Sequence, residues 1–97
     1  MPSADSLDVD ILEELLHDRG LEHLRVRRRG ARLTIVSPSS GGTADKHARL
    51  TALPRQEWSL EFADHRGNWT PTPFVGELRD LVATMVEQFP WVLGTDP

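Results

Sequence analysis

Residues 77–89 read ELRDLVATMVEQF, and this stretch decides the fold. Leu78, Leu81, Val82, Met85, Val86 and Phe89 recur at i, i+3, i+4, i+7, i+8 and i+11, the spacing of one apolar stripe along an α-helix. Gly76 precedes the stripe and Pro90 stops it, so a helix over Glu77–Phe89 is predicted. A helix with one greasy face needs a surface to cover.

The remainder of the chain supplies that surface as strands. Leu24 to Arg29 alternates apolar and basic residues, Gly30-Ala31 offers a short turn, and Arg32 to Ser37 alternates again, which together read as a hairpin. Residues 38–46 collect Ser, Gly, Pro and Thr and read as a flexible loop. A third strand follows over His47–Leu53, then a turn at Pro54-Arg55-Gln56 and a fourth strand over Glu57–Ala63. Asp64 to Asn68 has the residues of a hairpin loop, and a short fifth strand is expected at Asn68–Thr70 before Pro71 and Pro73 force an extended run. Upstream, Leu7, Ile11, Leu12, Leu15 and Leu16 mark a first helix over Leu7–Arg19. Asp5 or Ser6 is its N-cap and Gly20 its left-handed stop.

The order is therefore helix, four or five strands, helix. Connections this short favour an antiparallel meander with both helices on one face, an α+β two-layer sandwich forming a single domain over residues 1–97. Strand parity then assigns the faces. Leu24, Val26, Leu33, Ile35, Ala48, Leu50, Trp58, Leu60 and Phe62 turn toward the helices, and Arg25, Arg27, Arg29, Arg32, Thr34, Val36, Arg49, Thr51, Leu53, Glu57, Ser59 and Glu61 turn away.

Composition narrows the function classes. An apolar fraction of 38% and a charged fraction of 27% belong to an ordinary globular domain. There are no cysteines, which removes disulfides and thiolate chemistry together. No apolar run approaches the ~20 residues of a membrane span, and the N-terminus is acidic, so a cytoplasmic protein is expected. The net charge of −4 hides three blocks: −6 over residues 1–22, +7 over 23–55 and −5 over 56–97. Folding brings such blocks together, so cross-strand pairs such as Arg49 with Glu61 are expected.

Two candidate surfaces emerge. Trp69, Phe74, Trp91, Val92 and Leu93 concentrate large apolar side chains near the C-terminus, as a docking site for a protein partner or a second copy, or as simple closure of the core. Trp91-Val92-Leu93 is also short enough to pair with a sheet edge, which makes a homodimer the most economical specific expectation. Alternatively, Arg25, Arg27, Arg29, Arg32 and Arg49 form a nucleic-acid surface on the open sheet face. That alternative is disfavoured, because Trp58 and Phe62 share the core parity and the chain is acidic overall.

No constellation points to catalysis. His17, His23, His47 and His65 share no metal-ligand spacing, and Glu61, Asp64 and His65 make only a weak potential site. Ser39 to Thr43 lacks the ending of a phosphate loop. The sequence reading is thus a protein-interaction or self-associating module, non-enzymatic, with no cofactor, no metal and no membrane contact.

Overall fold

The computed structural model describes residues 4–38, 44–64, 66 and 68–93. The elements run α1 (Ser6–Asp18), β1 (Arg25–Arg29), β2 (Arg32–Pro38), β3 (Ala44–Leu53), a 3₁₀ turn (Pro54–Gln56), β4 (Glu57–Ala63), β5 (Trp69–Gly76), α2 (Leu78–Gln88) and a second 3₁₀ turn (Pro90–Leu93). The five strands form one antiparallel sheet in the order β1-β2-β3-β4-β5. Both helices lie on one face of this meander, α1 over β1 and α2 over β4 and β5, and they touch each other. The expected α+β sandwich is the observed one.

Local chemistry explains where the helices begin and end. Asp5 is the N-cap: the Asp8 N–H donates to Asp5 Oδ1 and the Asp5 N–H donates to Asp8 Oδ2, both at 3.0 Å, a reciprocal box that satisfies two otherwise orphaned donors. At the other end Gly20 takes φ 81°, the Gly20 N–H donates to the His17 carbonyl and the Leu21 N–H to the Leu16 carbonyl. Leu16 and Leu21 are both buried, which completes a Schellman stop with its apolar contact. The β1–β2 turn has positive φ at Gly30 and not at Ala31, the pattern of a II′ hairpin.

One core holds the sandwich together. Leu12 and Leu16 of α1, and Leu78, Leu81, Val82 and Met85 of α2, meet Leu24, Val26, Leu33, Ile35, Ala48, Leu50, Trp58 and Leu60. Trp58 is only 6% exposed and sits under the helices, as strand parity predicts. The helical stripe of α1 is narrower than expected, however. Leu7 and Ile11 are 63% and 40% exposed, because Val9, Leu12, Leu15 and Leu16 already fill the side that faces the sheet.

The strands depart from the expected bounds at three places, each with a physical cause. Pro38 pairs with Ala44, so the β2–β3 connection is shorter than 38–46, and residues 39–43 lie outside the described set. On β3 the register passes from Ile35↔Ala48 to Val36↔Lys46, leaving His47 as the extra residue of a bulge and carrying Lys46 to the open face. The fifth strand is eight residues long, not three. Pro71 and Pro73 are tolerated because β5 is an edge strand. Between the pairs Ser59↔Val75 and Glu61↔Pro71, Leu60 faces three β5 residues, and Thr72 repairs the ladder there. Its hydroxyl donates to the Leu60 carbonyl at 2.8 Å and accepts from the Phe74 N–H at 3.2 Å.

Candidate functional site

The open sheet face carries a cleft of about 560 Å³ whose charged lining is entirely cationic. β1 contributes Arg27, Arg28 and Arg29, β2 contributes Arg32, and β3 contributes Lys46 and Arg49, while Thr34, Val36 and Trp69 make the floor and wall. The register brings these residues together: Arg29 pairs across from Arg32, Arg27 from Thr34, Thr34 from Arg49, and Val36 from Lys46. Val36 is buried here although no helix covers it, and the long stems of flanking cations suit that role.

Arg49 is the fixed point of the face. Its Nε donates to Glu61 Oε1 and its Nη2 to Glu61 Oε2, each at 2.9 Å, across the directly opposed pair Arg49↔Glu61. The guanidinium also lies 4.5 Å from the centre of the Trp69 ring. The two charged side chains are 17% and 21% exposed, so this bidentate pair is shielded from solvent competition. The Glu61 carboxyl is held below the usual carboxylate range, first by the hydrogen bonds from Arg49 and then by the charges of Arg49 and Arg32, with burial opposing. The expected Arg49–Glu61 pair is therefore present, and it occupies Arg49.

The other cations are differently placed. Among the described residues no ion pair uses Arg25, Arg27, Arg29, Arg32 or Lys46. Arg25 turns toward the end of α1, where its Nη1 donates to the carbonyls of Glu22 at 2.8 Å and Leu24 at 3.0 Å. Of the five arginines singled out from the sequence, Arg27, Arg29, Arg32 and Arg49 share the cleft and Arg25 stands outside it.

The C-terminal aromatic and apolar set does not form one surface. Trp69 lies on the open face against Arg49. Phe74 is on the helix side, its ring 5.7 Å from Phe89, which in turn lies 5.2 Å from Phe62. Val92 is partly buried and packs against the core, and Leu93 has no exposed surface at all. The segment Pro90–Leu93 is a 3₁₀ turn and not a strand; its backbone is pinned by His47 Nδ1 on the Val92 carbonyl at 3.0 Å and His23 Nε2 on the Leu93 carbonyl at 3.3 Å. The side chain of Trp91 and all of His65 lie outside the described residues.

Sequence reasoning missed Lys46 and Trp69 as members of the basic face. The bulge that moves Lys46 has no sequence signal. Trp69 was recoverable: closing the loop with Asp64 opposite Asn68 places Trp69 across from Ala63, which shares the parity of Glu61.

A second depression, of about 980 Å³, lies on the helix side between α1, the Pro54–Gln56 turn and the start of α2. Ile11, Leu15, Ala52 and Leu78 line it, with Arg55 and Gln56 at its rim. Those two residues both take left-handed backbone, φ 65° and 61°, which L-residues adopt only under constraint. Among the described residues no three His, Asp or Glu side chains gather as a metal site, and no helix is long and apolar enough to cross a membrane. Compared with known proteins, the chain matches no family model, no curated protein and no solved structure.

Proposed function

We propose that the protein is a non-catalytic protein-interaction module of the cytoplasm whose open sheet face receives an acidic segment of a partner chain. The observation that carries this reading is the cleft in which Arg27, Arg29, Arg32 and Lys46 form no ion pair among the described residues, on a protein whose net charge is −4. Local positive potential within a negative field selects a short run of carboxylates over a long uniform polyanion, which the rest of the surface repels. The cysteine-free composition suits a reducing compartment.

A second reading, nucleic-acid binding, is favoured by the density of cations alone. Against it stands the aromatic inventory. The Trp69 ring already has the Arg49 guanidinium over one face, and Trp58 and Phe62 belong to the helix side, so the open face does not present the series of aromatic rings on which successive bases stack, among the described residues.

Titration of the full chain with a labelled glutamate-rich peptide and with a labelled single-stranded oligonucleotide, both at low salt, separates these readings. The expected result is that the peptide binds and Arg27→Glu with Arg32→Glu abolishes it. Oligonucleotide binding without peptide binding replaces the first reading by the second. Four phosphate contacts then weaken affinity roughly 50-fold between about 50 and about 200 mM salt, at a slope near 0.7 per contact. Failure of both probes removes the open face as a binding surface.

A further inference from the structure

Among the described residues no carboxylate of the acidic first block forms an ion pair with an arginine of β1. α1 exposes Asp10, Glu14 and Asp18 at i, i+4 and i+8, one carboxylate about every 6 Å along the helix axis. β1 exposes Arg27 and Arg29 at i and i+2, about 6.7 Å apart along the strand, while the guanidinium of Arg25 is turned back onto the carbonyls of Glu22 and Leu24. None of these five residues, the three carboxylates with Arg27 and Arg29, belongs to an ion pair among the described residues. The two rows are opposite in sign and nearly match in step.

Their placement in the fold matters as much as their spacing. α1 lies over β1 on the helix side, and Arg27 and Arg29 line the cleft on the other side of the same strand. One edge of the sandwich therefore carries negative charge on one layer and positive charge on the other. A two-fold axis running beside that edge turns a second copy over, so that each copy's α1 meets the other's arginines, and both contacts form at once. The outer backbone of β1 is not needed for this: the Val26 N–H already donates to Glu13 Oε2 at 2.8 Å, which blocks strand pairing and leaves side chains to make the contact. Leu7 and Ile11 fall within the same arc of about 100° as the three carboxylates, and their exposure adds apolar area to the helix face that docks.

We infer that the protein forms a two-fold homodimer in which the Asp10–Glu14–Asp18 row of one copy lies along Arg27 and Arg29 of the other. This rests on the reading that the open face binds carboxylates and names a second copy's α1 as their source. Exposed ion pairs are individually weak, so the dimer is salt-sensitive.

Sedimentation velocity on the full chain tests it. The wild type is expected at twice the chain mass of 10.9 kDa in low salt and at the chain mass in about 0.5 M salt, where charges are screened within about 4 Å. One variant carries Asp10→Lys, Glu14→Lys and Asp18→Lys; the other carries Arg27→Glu and Arg29→Glu. Each alone is expected to be monomeric, and an equal mixture to regain a two-chain species, because the swap restores opposite signs at both contacts. Should a reversal unfold, the neutral set Asp10→Asn, Glu14→Gln and Asp18→Asn is expected to lower the dimer fraction of the folded chain. A wild type that stays monomeric in low salt overturns the inference, as does a dimer that either folded reversal leaves intact. In the first case, salt-sensitive binding of the glutamate-rich peptide shows that the open-face reading survives; loss of both shows that it does not.

Discussion

The two faces of the sheet obey different rules, and their contrast explains the molecule. The helix-side face is made by exclusion of water, which is non-directional and needs only apolar residues at the right period. The open face is made by register, because its cleft exists only where particular strands place particular cations side by side. A change on the first face alters whether the chain folds, and a change on the second alters the charge that the folded chain presents.

The sharpest way to test that division is Leu50→Ala on the central strand. Its side chain is fully buried, so the substitution is expected to lower stability by about 2 to 5 kcal/mol in denaturant unfolding. By contrast, Arg27→Ala on the same sheet is expected to stay within about 0.5 kcal/mol. Equal effects would erase the distinction between the faces.

Glu61→Gln probes the one place where the open face is also structural. Losing the charged partner of Arg49 is expected to remove about 1 to 3 kcal/mol. The sign of its pH dependence follows from the lowered carboxyl: the unfolded chain takes up the proton first, so the stabilisation is present above the ordinary value of 4.5 and fades as pH falls through the folded value. Unfolding curves of wild type and variant should therefore converge in acid.

His47 gives a smaller effect with a similar direction. Burial lowers its affinity for a proton, with the backbone bond to Val92 and the charge of Asp45 opposing and His23 adding to the shift. A lowered base makes the unfolded chain the better proton acceptor, so stability is present above the ordinary 6.5 and declines as pH falls from there through the folded value. His47→Gln is expected to flatten the stability profile between about pH 7 and pH 5. A profile unchanged by the substitution would place that acid sensitivity elsewhere. The smallest expected effect is a gain: Gln56→Gly relieves one left-handed residue and should stabilise the chain by up to about 1 kcal/mol.

The helix-side face was largely legible in the sequence, since the periods of 2 and 3.6 survive without any knowledge of the partner strand. Glu57–Ala63 was placed to the residue, and the six-residue stripe of α2 finds its core partners. The open face was legible only in part. Parity placed Arg27, Arg29, Arg32, Arg49 and Glu61, but Lys46 reached the cleft through a bulge at His47, and Trp69 through a hairpin register. Both depend on how two strands slide past each other, which the composition of either one does not encode. The proline-bearing fifth strand was underestimated for the same reason: Thr72 replaces missing donors only when Leu60 lies opposite.

Glu13 on the rim of β1 and the paired prolines of β5 close the two ends of the ladder. Such a chain carries five adjacent strands without presenting a ready seed for fibril growth. The side chains on the sheet's flat surface can then vary while runaway stacking stays suppressed at its margins.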